Sequence, residues 1–399
     1  MNIDARAAPR LVAANMDTLI LNIKLQTLPE DLEGELDHLK ALSQEADADV
    51  PTAWNFASET LYIKAHGSGR QWRWILHCPA LHLDVGPGKL NGIVGKARLS
   101  SAFLWEQGPG VALATLYPFL VGVFGDGFML QVSELHLCCD VAGWDLSLAD
   151  AGAFISRART RRSYLLRADE YDAEAVHVEG EQDYIAPSFH ATTDGRLCVA
   201  YDFSKTAPHS CIVYDKTREL RRSRKDWMRA IWEQAGWDGT SRVIRVEFRY
   251  ERECLRELGV EEAYAALDQL AGLWAYSTCE WLRHTLPDPA QRNKGRWPDS
   301  PLWLAIQQAE FFDQGEPAVR ERKTAGDLRL ICQMLAGCST KAAALLTNAL
   351  PDANAADFLT WFYDWMAAYY HQKGQTFEGL RDEKRQRLGV LLAASGTAA

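Results

Sequence analysis

Hydrophobic and polar positions alternate with a period of two through much of the first 250 residues and follow a helical period afterwards. Asp17–Lys24 predicts a first strand, preceded by a loose tail over 1–16. Leu32, Leu36 and Leu39 fall at i, i+4 and i+7 and predict an amphipathic helix over 28–45. Segments 60–65 and 72–78 read as strands paired around Gly67-Ser68-Gly69, with further strands at 81–85 and 96–105. The apolar stretch 111–124, entered through Gly108-Pro109-Gly110, predicts a helix packed on the sheet. A strand over 128–141, a helix over 144–167 capped by Asp145 or Ser147, and strands at 185–191, 196–202, 211–217 and 242–251 follow, with a helix at 227–234. From about Gly259 the pattern predicts helices at 260–286, 303–312, 325–335, 339–350, 355–371 and 377–393, punctuated by Gly337, Pro351 and Gly374. The fold class is α+β. A mostly antiparallel sheet domain with helices on one face spans 17–258, and an α-helical domain spans 259–399.

Alternate side chains of a strand share a face, so the pattern also sorts chemistry. Glu134, His136, Cys138 and Asp140 fall on one side of their strand. Val243, Arg245, Glu247, Arg249 and Glu251 fall on one side of theirs, and Tyr214 and Lys216 share a side of the strand ending near Glu219. A phenol beside an ammonium is a potential nucleophile, because the cation favours phenolate and stabilises charge on an attacked phosphate. Each pattern also has an ordinary structural explanation: a half-buried tyrosine with a solvated lysine, or cross-strand charge pairs on a wet face. His136 and Asp140 lie about 13 Å apart along an extended strand, so convergence on one metal ion requires a bend or bulge. Three polar strand faces together nevertheless favour a shared site.

Composition adds bounds. At 399 residues, two domains are expected, and 47% hydrophobic with 24% charged residues is ordinary for a soluble globular chain. No apolar run reaches the length of a membrane span, and 1–15 shows no apolar core of signal-peptide type. Nine cysteines without a CxxC pair argue for reduced thiols in a cytoplasm and against a zinc or disulfide framework. The net charge of −10 excludes a uniformly basic surface but not a local one. Two local clusters exist. Arg157, Arg159, Arg161 and Arg162 form the first; Arg218, Arg221, Arg222, Arg224 and Lys225 form the second. They flank Tyr214 in sequence and suggest a phosphate-binding groove for nucleic acid. Trp227 and Trp232, five apart on a helix, do not share a face and read as core. Phe358, Trp361, Phe362 and Trp365 share a helical face and also read as core. Residues 328–350 have helix-turn-helix length without a basic recognition face, which favours packing or self-association.

The order of an early strand with Met16-Asp17-Thr-Leu-Ile-Leu, a strand ending in Asp140, the Tyr-Asp-Lys-x-x-Glu segment at Tyr214–Glu219 and Arg-Val-Glu-Phe-Arg at 245–249 resembles the replication initiation factors of the Rep_trans type. These are rolling-circle initiators of some plasmids and related relaxases of integrative and conjugative elements. The resemblance covers about residues 16–260. It implies a DNA nicking and joining enzyme in which Tyr214 attacks a phosphodiester and becomes joined to the 5′ end, with Lys216 stabilising the pentacoordinate phosphate. It also implies a divalent ion, Mn²⁺ or Mg²⁺, held by Asp140 and Glu247 together with His136. Family members often carry aspartate at the His136 position, and histidine favours Mn²⁺ over Mg²⁺. Arg245 and Arg249 join the basic clusters as DNA-binding candidates. The implied partners are origin DNA, a host helicase and polymerase, and a second copy of the chain, with no membrane. The alternative is a non-catalytic DNA-binding regulator on the same scaffold; a third class is an interaction protein whose helical half binds a partner.

Overall fold

The computed structural model describes residues 9–88, 91–157, 164–167, 176–177, 189–195, 197–205, 207–223, 225–311, 354–372 and 374–382. The chain divides into two compact units, Met1–Glu321 and Arg322–Ala399, so the expected boundary at 258/259 falls inside the first.

In chain order the first unit holds β1 (Arg10–Lys24), α1 (Glu30–Ala46), β2 (Val50–Phe56), β3 (Glu59–Ile63), β4 (Trp74–His77), β5 (Leu81–Val85), β6 (Ile93–Leu99), α2 (Ser101–Gln107), α3 (Pro109–Phe124) and β7 (Met129–Ala142). There follow β8 (Phe154–Ser156), β9 (Tyr164–Arg167), β10 (Val176–His177), β11 (Phe189–Asp194), β12 (Leu197–Phe203), β13 (His209–Asp215), α4 (Lys216–Ser223), α5 (Trp227–Gln234) and β14 (Val243–Glu251). It closes with α6 (Arg252–Glu257), α7 (Ala263–Leu267), α8 (Leu270–Ala275), β15 (Leu282–His284) and α9 (Pro301–Gln307). The described part of the second unit contains the helix Ala355–Gln372.

Thirteen strands form one sheet in the order β10-β9-β11-β12-β13-β14-β7-β1-β6-β5-β4-β3-β2. Neighbours are antiparallel except β9 and β11, and β8 pairs separately with β15. The core lies on one face. Leu135, Leu137, Cys139 and Val141 of β7 and Ile244, Val246, Phe248 and Tyr250 of β14 project there, under Leu32 and Leu36 of α1, Leu113 and Leu116 of α3, and Leu270 and Trp274 of α8. Full burial of each such Leu or Phe side chain is worth roughly 1.5–3 kcal/mol, which fixes the register that sends the alternate residues to the other face.

That other face is polar at its centre and partly roofed. Met228 and Trp232 of α5 and Leu220 of α4 pack on Val12, Ala142 and Val243 in a second, smaller core. The α+β class holds, but the helices cover both faces, not one. Through Trp232 and Met228 the roof walls in Asp140 and Arg245.

Several local expectations change. Residues 10–16 belong to β1, paired to β7 as far as Arg10↔Ala142; register shifts at Leu11/Ala13 and Met16/Thr18 break the alternation that the tail reading relied on. Residues 1–8 lie outside the described residues. The strand expected over 96–105 stops at Leu99, because Ser100 accepts a hydrogen bond from the Phe103 amide at 3.3 Å and caps α2. No helix runs through 144–167 among the described residues. Ser147 and Asp150 form a capping box on a short 3₁₀ turn, and Phe154 then enters β8 against β15. The long helix expected over 260–286 is broken into α7, α8, a π-turn at Tyr276–Trp281 and β15. Its residues are apolar on all sides because Trp274, Tyr276 and Trp281 are each buried. The expected helices over 325–350 lie outside the described residues. In Ala355–Gln372 Phe358 is buried, but Trp365 is 49% exposed, so that aromatic stripe is only partly core. Both Trp232 and Trp227 pack in the second core as expected.

Among the described residues every cysteine is a free thiol. No single described helix is long and apolar enough to cross a membrane; α2 and α3 meet the length and composition test only as a pair bent by 113°, and α3 is packed on the sheet.

Candidate active site

Tyr214 lies one residue from the end of β13. The strand stops there because Asp215 turns its carboxylate onto the start of α4, accepting from the Arg218 amide at 2.9 Å and from the Thr217 hydroxyl. An aspartate at this position satisfies a helix-terminal N–H that would otherwise be orphaned. Asp215 is itself fixed by the Arg242 guanidinium at 2.9 Å. Lys216 is therefore the first residue of a helix and not the next residue of a strand. It still meets Tyr214: its ammonium lies 3.3 Å from the phenol oxygen and 5.5 Å from the ring centre. Lys216 is 2% exposed and is balanced by Glu219 at 2.6 Å, an ion pair not aligned as a hydrogen bond.

The phenol donates to Glu247 Oε2 at 3.1 Å. Glu247 Oε1 accepts from Arg249 Nε at 3.2 Å and faces His136 Nδ1 at 3.1 Å, and His136 Nε2 faces Glu134 Oε1 at 2.7 Å. A continuous row thus runs Lys216–Tyr214–Glu247–His136–Glu134 across β13, β14 and β7. Burial would raise the Glu247 pKa, but the His136 hydrogen bond and charge, with Arg249, bring it down to about 2. Burial would lower that of His136, but its bonds to Glu134 and Glu247 push it up to about 9. At neutral pH the row holds an imidazolium between two carboxylates. Burial, then the Glu247 charge, raises the Tyr214 phenol well above its ordinary value, so the resting hydroxyl is protonated and polarised rather than ionised.

Beside this row sits a second cluster. Arg245 is wholly buried and binds Asp140 through Nε at 2.6 Å and Nη2 at 2.8 Å, and Asp17 through Nη1 at 2.8 Å. The Trp232 indole donates to Asp140 at 2.8 Å, and the Trp105 indole and Ser101 hydroxyl donate to Asp17 at 3.0 and 2.9 Å. Burial raises Asp17, but Arg245, then Lys225 and Lys216, hold it well below the usual carboxylate range.

The expected metal trio is thus not assembled. Asp140 is taken by a guanidinium, both oxygens of Glu247 are occupied, and both nitrogens of His136 face carboxylates. Among the described residues no three His, Cys, Asp or Glu side chains group as ligands for an ion. A divalent ion does not fit this donor set as it stands.

The DNA-binding candidates separate into three kinds. Arg245 is corrected: register places it opposite Asp140, and it is structural. Arg221 and Arg222 are exposed in the last turn of α4, Lys225 is half-buried near Asp17, and Arg249 is partly exposed over Glu247. Arg157 is exposed and paired with Glu280, and Arg218 is paired with Asp194. Arg159, Arg161, Arg162 and Arg224 lie outside the described residues. Sequence reading missed Asp17, Glu134, Trp105 and Trp232 as members of the site. Glu134 was visible on the His136 face; the indoles carried no signal, because their role depends on which helix roofs the sheet.

No protein-family model matches the chain, and no curated protein sequence matches it. Among solved structures, the rolling circle replication initiator protein from Geobacillus stearothermophilus is similar over 75% of this chain and 96% of that one, at 10% identity and a TM-score of 0.39.

Proposed function

We infer that the protein is a DNA strand-transfer enzyme that nicks one strand by forming a phosphotyrosine at Tyr214, in the service of starting rolling-circle replication or conjugative transfer. The observation that carries this reading is the Tyr214 hydroxyl, which has an acceptor for its proton and a buried ammonium within 3.3 Å at the same point. The motif resemblance supplies the substrate class, and the exposed Arg221 and Arg222 beside the site support a phosphate-bearing one.

The step balances with the residues in place. The Tyr214 oxygen forms a bond to phosphorus as the bond from phosphorus to the 3′ oxygen breaks. The phenol proton passes to Glu247, and the 3′ oxygen leaves as a hydroxyl with a proton from water. A carboxylate near 2 is a weak base, so Glu247 chiefly aligns the phenol and takes the proton as phosphorus–oxygen bonding advances. Lys216 stands where negative charge grows on the phosphoryl oxygens. The covalent link keeps the energy of the broken bond, and attack by a 3′ hydroxyl on the phosphotyrosine rejoins the strand.

The test is a denaturing gel after incubation with a single-stranded DNA library. The expected result is a covalent protein–DNA adduct that is absent in Tyr214→Phe. Tyr201 and Tyr250, the neighbouring strand tyrosines, are buried on the apolar face with their hydroxyls bonded to Ser147 and Leu273 carbonyls, so they do not substitute. Binding without any adduct would move the protein to the second reading, a non-catalytic DNA-binding protein. The saturated hydrogen bonding of Glu247 favours that reading.

A further inference from the structure

We propose that the Arg245 guanidinium is the resident cation of this site and that the site binds no divalent ion. Its catalytic consequence, strand transfer without a metal, rests on the phosphotyrosine reading; its binding consequence does not.

The positions a cation would take are already filled. A carboxylate pair reached from two strands is the natural cradle for a hard cation, and here Asp17 of β1 and Asp140 of β7 are that pair. Arg245 fills it with three hydrogen bonds of 2.6–2.8 Å. The guanidinium has no room to leave. It is 0% exposed, with the Met228 sulfur 3.4 Å from Nη2 and the Trp105 ring centre 5.3 Å from its carbon. The backbone that carries it is locked on both sides, opposite Asp140 on β7 and Tyr214 on β13.

Admitting Mg²⁺ or Mn²⁺ between these carboxylates would leave a buried arginine without partners beside a second cation. Glu247 offers no alternative anchor, since His136, Arg249 and Tyr214 already take its two oxygens. An arginine keeps its charge at every accessible pH and presents donors in a fixed plane. The arrangement therefore places a permanent guanidinium behind Tyr214, next to the buried ammonium of Lys216, without an ion that must be acquired from solution.

Two measurements test this on the full-length protein. In the first, wild type is charged with Fe²⁺, ascorbate and peroxide, and the cut sites are mapped by mass spectrometry. Absence of cleavage around 15–18, 138–141 and 245–248 is expected; cleavage clustered at those three segments overturns the proposal whether or not the protein nicks DNA. In the second, adduct formation is compared in EDTA and in Mn²⁺. Equal rates are expected, whereas a loss in EDTA on the order of a hundred-fold is what removal of a catalytic Lewis acid produces and would sink the idea. If no adduct forms in either buffer, the phosphotyrosine reading fails, and the iron map alone decides the cation assignment.

Discussion

Tyr214 and Glu247 are hydrogen-bonded across β13 and β14 although they are not register partners. Tyr214 stands opposite Arg245, and Glu247 stands opposite Ile212. The diagonal reach leaves Arg245 free to turn toward Asp140 on the far side, so one strand serves two clusters with successive residues of the same face.

Replacing Tyr214 with phenylalanine removes two hydrogen bonds, one donated to Glu247 and one accepted from Lys216, and no packing. The expected outcome is complete loss of the covalent adduct with a stability change of about 1–3 kcal/mol, because Glu247 keeps its bonds to His136 and Arg249 and Lys216 keeps its ion pair with Glu219. Adduct gels and urea unfolding on the same preparation check both halves.

Lys216→Met keeps the aliphatic stem that fills the wall beside Tyr214 but deletes the charge. Adduct formation should slow by about 10²-fold or more, with DNA affinity changed far less, if the ammonium acts on the developing phosphoryl charge. Single-turnover rates set against filter-binding affinities separate the two effects.

The Arg245–Asp140 pair should dominate mutational stability. Removing one partner, as in Asp140→Leu, strips the buried Arg245 of two of its three carboxylate hydrogen bonds, leaving only Asp17, and should cost about 3–5 kcal/mol. The double variant Arg245→Met with Asp140→Leu should recover part of that loss, the remainder being the Asp17 carboxylate left with only its Ser101 and Trp105 donors. Urea midpoints of the two single variants and the double variant form the cycle; additive losses would show that the pair is not coupled.

The Glu247–His136 pair sets a pH window. Glu247 has its folded pKa near 2, below its ordinary 4.5, so its contribution is full above 4.5 and is lost as pH falls toward 2. His136 is raised from 6.5 to about 9, so its contribution is full below 6.5 and is lost as pH rises through 9. The interaction is shared and counts once, on the order of 2–3 kcal/mol. Unfolding free energy should therefore be flat between about pH 4.5 and 6.5 and decline on both sides, and His136→Asn should flatten the alkaline limb.

If DNA runs past α4, replacing Arg221, Arg222 and Lys225 together with alanine should weaken binding of single-stranded DNA uniformly across sequences. The slope of log affinity against log salt should fall by about 2, given roughly 0.7 per neutralised phosphate on single strands. Titrations at several salt concentrations measure that slope directly.

The central strands were legible because their alternation is strict: Arg245, Glu247 and Arg249 do share a face, as do Glu134, His136 and Asp140. The partnering on that face was not legible. Alternation says which side a residue takes but not which neighbour lies opposite, and a register that sets Arg245 against Asp140 turns an expected metal ligand into half of an ion pair. Lys216 was placed beside Tyr214 for an incorrect reason, since the strand ends at Asp215 and the helix that follows brings the ammonium back. The helix expected over 144–167 failed because Ala149, Ala153 and Phe154 can mark a helical face or a buried turn, and the choice was made by β15, well over a hundred residues downstream.

The bond between Asp17 and Arg245 joins residues 228 positions apart. On the ribosome Asp17 is made early and must wait in water for Arg245, the buried partner that β14 brings. The central sheet can close only after that strand emerges. The same dependence makes the chain a natural split reporter: fragments divided in the loop after α3 should each stay open alone and assemble the buried cluster only when they meet.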